Sequence, residues 1–230
     1  MTVAFDAKST TTVNGTGTST TLTTLTVGSG ANRALIVELA IGTAATSISV
    51  KWDVAGANQT CTLIKSAVNG STAKAELYGL VAPASGNKIV TVSWTGSAEF
   101  NVSAFAVTGA DQTGGVTTFP HSTSASGTGS PTITITSAVG NMTADSGGSS
   151  SNWSVPTQTQ VYINNTNGSV VGCGSRAAGA ASVVHAWTDG GIWVLVGTDI
   201  QAAGTTSVDQ YFPGIQQPYF DKMGVVGYES

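Results

Sequence analysis

The sequence predicts an all-β protein, an antiparallel jelly-roll-like sandwich that ends in an extended C-terminal arm. Three observations carry this. Charged residues make up 9% of the 230, against roughly 25% in ordinary globular chains. Gly fills 29 positions, and Thr and Ser abound, which is the composition of strands and tight turns. Apolar residues recur with period two rather than 3.6, so helical periodicity is nearly absent. With 40% hydrophobic residues and a net charge of −4, the chain has the apolar content to fold, unlike a disordered segment.

The first half reads as strands near 2–6, 20–27, 33–42, 47–52, 59–65, 73–80, 87–94 and 99–108, separated by Gly, Asn and Ser turns. In 87–94 the alternation is explicit: Val90, Val92 and Trp94 on one face, Ile89, Thr91 and Ser93 on the other. One face therefore packs inward and the other meets solvent. The second half continues with strands near 131–137, 158–164, 169–173, 181–187 and 191–200. Strands at this spacing without intervening helices imply antiparallel sheets. Residues 112–130 and 144–157, rich in Gly, Ser, Thr and Pro, read as two long loops. Residues 204–230, aromatic and proline-bearing, read as the arm.

Residues 1–203 are expected to form one sandwich from two related halves, about 1–111 and 131–203. Leu22–Arg33 echoes Thr132–Met142, and Ile89–Asp111 echoes Ser182–Asp199, each pairing Trp, Thr and a Gly turn with a following apolar strand. Trp94 and Trp187 take comparable places in that echo. Two tandem sandwiches split near residue 112 are the competing arrangement; the weaker strands of the second half disfavour a separate core.

The residues that could carry chemistry are few. His121 and His185 are the only histidines, and no nucleophile elbow accompanies either. His185, in VVHAW, reads as a hydrogen-bonded structural residue. The twelve carboxylates fall in no motif; a glycosidase pair needs no sequence signature, but none is indicated. Asp111, Asp145 and Asp189 lack the spacing of a calcium loop and read as turn residues. Cys61 and Cys173 are too few for a zinc site or disulfide framework and read as buried thiols; a single bond between them is the alternative. No catalytic residue, cofactor or metal is assigned, and the chain is not expected to be an enzyme.

Partners follow from the same composition. Eight scattered Lys and Arg form no phosphate-binding patch, so nucleic acid is not expected. The start MTVAFDAKST has neither the basic nor the apolar part of a signal peptide, and no stretch is an apolar membrane span, so synthesis in a host cytoplasm with no membrane partner is expected. Trp153, in the loop SSSNWSVP, is the candidate exposed contact for a glycan or partner. Tyr211, Phe212, Ile215, Tyr219, Phe220 and Met223 of the arm are the candidate partner-binding set, since aromatic anchors dominate interfaces. Pro213 and Pro218 bar a long helix and leave an extended path that suits docking on a neighbouring subunit or the particle surface; covering an open end of its own sandwich is the alternative.

The pieces NRALIVELA, SVKWDVAGANQTCTL, LYGLVAPASGNKIVTVSW, AFAVTGADQT, TITITSAVGN and GSRAAGAASVVHAWT, in order from about residue 20 to 200, resemble a family of uncharacterised β-sandwich proteins of tailed phages and bacteria. The resemblance implies a jelly-roll-like sandwich exposed on a virion, as a capsid decoration or a tail or fibre component. With it, homo-oligomers and other virion proteins are the expected partners, and the sandwich fold, exposed loops and Trp153 add a host-surface glycan as a further expected one. A carbohydrate-binding module or adhesin is the alternative reading. MTADSGGSS departs from the pattern where a stronger strand belongs, and the arm lies outside it.

Overall fold

In a computed structural model, residues 1–204 are described, apart from 11, 71–72, 167 and 189–190. Among them the chain is almost all strand. The first half supplies β1 (Ala4–Lys8), β2 (Val13–Val27), β3 (Ala34–Gly42), β4 (Thr46–Trp52), β5 (Gln59–Thr60), β6 (Thr62–Asn69), β7 (Ala73–Val81) and β8 (Gly86–Thr108). After the single-turn helix α1 (Gly115–Thr118) come β9 (Thr123–Thr128), β10 (Thr132–Thr136), β11 (Met142–Ser149) and β12 (Thr159–Asn164). The last are β13 (Val171–Ala178), β14 (Ser182–Ala186) and β15 (Ile192–Ile200).

The first eight strands form one sheet in the order β5-β4-β8-β3-β7-β6, with β1 and β2 also on β8. This sheet folds over itself. The early part of β8 pairs with β4 and the end of β2; its later part pairs with β3, β1 and the start of β2. At the bend sits Gly96 with φ +88, where a Cβ would lie 2.5 Å from the Ala44 carbonyl oxygen, so only glycine is accommodated. The fold encloses one apolar cluster: Leu22, Leu25, Val50, Trp52, Val90 and Val92 against Leu35, Val37, Leu39 and Val102. Each such side chain, fully buried, stabilises the fold by ~1.5–3 kcal/mol.

The opposite face of β3, β7 and the end of β8 packs on a five-stranded sheet, β12-β13-β11-β15-β9. Ile36, Leu77, Phe105 and Val107 meet Met142, Val161, Val194 and Ile200 there. The far side of that sheet is covered by the two-stranded β10-β14 sheet, with Ile133, Cys173, Trp187, Trp193 and Leu195 in a third cluster. The result is an antiparallel sandwich of stacked layers in which the inner ones are buried on both faces.

Several expectations change. Residues 144–157 do not form one loop: Met142–Ser149 is the central strand of the second sheet and is buried along its whole length. Its small residues are required there, because a Cβ on Gly147 would lie 2.6 Å from Cys173 Sγ and 2.7 Å from Leu195 Cδ2. Residues 112–130 contain α1 and β9 rather than a continuous loop. The two strands read at 87–94 and 99–108 are one strand, β8, continuous through its glycine bend. Trp94 and Trp187 are both buried, in different clusters on opposite outer sides of the stack.

The strand pairing repeats along the chain. β6-β7-β3-β8 with β1 on β8 has the same connectivity as β12-β13-β11-β15 with β9 on β15, and β2 on β8 matches β10 on β14. Val107 pairs with Ala34, which pairs with Val81; Ile200 pairs with Met142, which pairs with Ala178. Even the irregularities coincide: the bulge at Leu63/Lys65 in β6 falls where β12 has one at Gln160/Tyr162.

Candidate functional site

The residue types that could carry chemistry converge at one place, between the second sheet and the β10-β14 layer. Asp145 and Thr143 of β11, Ser175 of β13 and His185 of β14 are all at 0% exposure. His185 Nε2 is hydrogen-bonded to Thr143 Oγ1 at 2.8 Å and Nδ1 to Ser175 Oγ at 2.8 Å. Asp145 Oδ1 accepts from the Ser175 backbone N–H at 2.5 Å. Its Oδ2 accepts from Trp187 Nε1 at 2.7 Å and lies 3.5 Å from His185 Nδ1.

A hydroxyl on one imidazole nitrogen and a carboxylate by the other is the arrangement of a hydrolytic triad. Here every member touches only protein, so no external carbonyl can approach Thr143 in this conformation. The network instead clamps the outer layer to the sheet beneath. His185 is hydrogen-bonded through both ring nitrogens, as expected. Asp145 is not a turn residue; it is the buried acceptor at the centre of the clamp. Nothing in MTADSGGS announces it, since its partners come from two other segments, β13 and the end of β14.

A second polar group lies between the inner sheets. Among the described residues, no hydrogen bond of normal geometry reaches the buried Glu38 Oε1 and Oε2, Tyr162 OH or Asn101 Oδ1. Burial, reinforced by the nearby Asp145 charge, holds the Glu38 carboxyl well above its ordinary value, against the lowering effects of Ser103 and Lys8. Burial thus favours the neutral carboxyl over the carboxylate at this position. Gly174 faces it: a Cβ there would stand 2.5 Å from Glu38 Cδ. Asp199 likewise sits at 1% exposure, its pKa raised by burial although Ser137 and Asn141 donate to it at 2.6 and 2.7 Å.

Trp153 does not offer its ring to solvent. It is 3% exposed, edge-on to Trp187 with centroids 5.7 Å apart, and its backbone is held by Asn165 through two bonds of 2.9 Å. The loop Trp153 plugs the third apolar cluster, where Gly147 leaves room for it. The other four tryptophans are buried as well, so no indole forms a sugar-stacking platform. Cys61 and Cys173 are both buried thiols, not bonded to each other, and burial pushes the Cys61 thiol up to about 12.

Among the other expected sites, Asp111 accepts from the Thr113 N–H at 2.8 Å and from Thr118 Oγ1 at 3.1 Å, which makes it a turn residue. No cluster of three or more His, Cys, Asp or Glu that could hold a metal occurs among the described residues. Asp189 and the arm set Tyr211, Phe212, Ile215, Tyr219, Phe220 and Met223 lie outside the described residues. No described helix is long and apolar enough to cross a membrane.

The surface features missed by the sequence are apolar grooves. One, of about 120 Å³, is lined by Leu63 and Ile64 of β6 and by Gly115, Val116 and Phe119 around α1. Leu63 is 47% and Val116 85% exposed. Its floor is fixed, because the Phe119 ring rests on Gly79, where a Cβ would come within 2.6 Å of Phe119 Cζ. A second groove holds Val54 and Ile89 beside the Lys88–Asp53 ion pair of 3.2 Å. The backbone N–H of Ala57 and then Lys88 keep the Asp53 carboxyl below its ordinary value. The break in alternation at LIK, in the bulge of β6, was the one sequence signal of the first groove.

No protein-family model matches the chain, and no curated protein matches it.

Proposed function

We propose that the chain is a structural protein of a phage virion, borne on the particle surface as a capsid decoration or a tail or fibre component, and acting through protein–protein contacts. The observation that carries this reading is how side chains divide between inside and outside. Glu38, Asp145, His185 and Asp199 are each at most 1% exposed and face protein. The outside presents Leu63, Val68, Val116, Val139, Val155 and Val184 among hydroxyl residues, including Thr132, Thr134 and Thr136 along β10. A weakly charged surface of this kind suits contacts made by apolar burial and backbone pairing, since interface cores are depleted in charge.

The stacked layers support the reading mechanically. Strands buried on both faces and cross-linked by the Asp145 clamp give a stiff body whose outer surfaces are free for assembly. The sequence resemblance supplies the phage setting. The test is compositional: virions of the encoding phage are purified and their proteins quantified by mass spectrometry. Fixed stoichiometric copies per particle are expected, and absence from the particle sinks the proposal.

A further inference from the structure

The repeated connectivity gives the C-terminal segment a counterpart within the chain. Phe119–Pro120 lies twelve residues beyond Val107, and Phe212–Pro213 lies twelve residues beyond Ile200, the position equivalent to Val107. The start of both segments is paired: Ala110 bridges Ala202 antiparallel, Asp111 N–H donates to Gln201 O and Ala203 N–H to Gly109 O. In the first half, Phe119 reaches its seat on β7 because position 79 is glycine. In the second half the equivalent position is Arg176, since Gly79 pairs with Thr62 as Arg176 pairs with Thr159. Arg176 has a side chain where Phe119 would need none, and its guanidinium lies 4.1 Å over the Phe5 ring. The seat that the repeat would provide for Phe212 on its own half is therefore filled.

With that seat filled, Tyr211 and Phe212 would be better buried on another apolar surface, because exposed aromatic rings are costly in water. The first-half groove at Leu63, Ile64, Val116 and Phe119 has the matching chemistry. It is apolar, rigid-floored, beside the β6 sheet edge, and about 120 Å³, close to the ~150 Å³ of an apolar cavity that takes up benzene. We infer that this groove receives Tyr211–Phe212 from a second copy of the chain, so that copies are linked through their C-terminal segments. Backbone pairing along β6 with an aromatic anchor in the groove is the strand-addition mode of peptide recognition. The inference deepens the proposed structural role but does not need a virion. The tests below read copy-to-copy contact alone, whereas the virion reading stands or falls on particle composition.

The test mixes two full-length proteins, one Val116→Cys and one Phe212→Cys, under mild oxidation. Val116 is 85% exposed, and the native thiols are buried. A disulfide joining position 116 of one chain to 212 of the other is expected in peptide maps. Its absence overturns the inference, as does a double variant, Val116→Cys with Phe212→Cys, that closes the bond mainly within its own chain when isotopically light and heavy chains are mixed. Hydrogen exchange on the unmodified protein gives an independent check. Amides of residues 62–64 and 115–119 should gain at least about tenfold protection as concentration rises through the association range, and Arg176→Gly, which reopens the own-chain seat, should weaken that concentration dependence. Protection that is independent of concentration overturns it.

Discussion

Replacing Trp187 by Phe tests whether the Asp145 clamp holds the outer layer in place. The substitution keeps an aromatic ring in the third cluster but removes the indole N–H that donates to Asp145 Oδ2 at 2.7 Å. A hydrogen bond to a charged acceptor contributes ~1.5–3 kcal/mol, and the missing ring atoms in a closed cluster add ~1 kcal/mol. The expected loss is about 2.5–4 kcal/mol, against a net stability of ~5–15 kcal/mol for a typical domain. For a chain of this size that lowers Tm by about 5–16 °C. Trp94→Phe is the comparator, because its indole donates at 2.9 Å to the neutral Gly17 carbonyl. A neutral bond contributes only ~0.5–1.5 kcal/mol, so its loss should be about 1.5–2.5 kcal/mol. Urea unfolding of both variants, with Asp145→Asn and the Asp145→Asn/Trp187→Phe double variant, gives the coupling energy directly, expected at about 1–3 kcal/mol. Equal losses for the two tryptophan variants, or coupling indistinguishable from zero, would refute the clamp.

Three further outcomes are expected. Gly147→Ala, whose Cβ would stand 2.6 Å from Cys173 Sγ and 3.0 Å from the Trp153 ring, should destabilise by about 1–3 kcal/mol, whereas Gly168→Ala, whose Cβ would meet none of the described residues within 4 Å, should be neutral or stabilise by up to ~1 kcal/mol; the reverse order in urea midpoints contradicts the packing. The Glu38 carboxyl has a folded-state pKa raised by burial from an ordinary 4.5, so its contribution is fully present below that ordinary value and is lost as pH rises toward the folded value. Glu38→Gln cannot ionise, so its midpoint should gain on the native protein steadily as pH rises above 4.5, and a gap that stays constant with pH contradicts the burial. Both cysteines should resist a thiol reagent in the folded protein and react fully once unfolded, since Cys61 is pushed up to about 12 and both are buried; rapid labelling of the native state counts against this.

How much was legible in the sequence depends on whether a strand is buried on one face or two. The TITIT run of β10 alternates Thr outward with Ile133 and Ile135 inward, and its strand is visible in the letters. β11 is buried on both faces between closely approaching layers, so it carries Gly, Ser, Ala and Asp where a strand signal would be Val or Ile. The glycine at position 96 read as a turn because turn and bend need the same positive φ. The clamp was invisible for another reason: Thr143, Asp145, Ser175 and His185 meet only through pairing between β11, β13 and the overlying β14. Trp153 was misread because loop position was taken as exposure, whereas a large aromatic residue in a loop is also the means by which that loop is pinned to a core.

The polar groups in the interior bear on which pairing the chain adopts. A one-residue slip of β11 against β13 and β15 would exchange its faces. Asp145 and Thr143 would then turn toward Ile36 and Leu77, away from the Trp187, Ser175 and His185 donors, while Met142 and Ala144 would face the clamp. Burying a carboxylate without its donors costs several kcal/mol, far more than the difference between two registers of small residues. Glu38 acts the same way across the inner interface, since only the glycine at 174 leaves room for its carboxyl, and a slip would bring Cys173 or Ser175 against it. Strands as poor in large apolar residues as β11 and β13 have weak register preference from hydrophobic contact alone. The buried Asp145 supplies that preference through its donors, and Glu38 through the space that only Gly174 leaves for it.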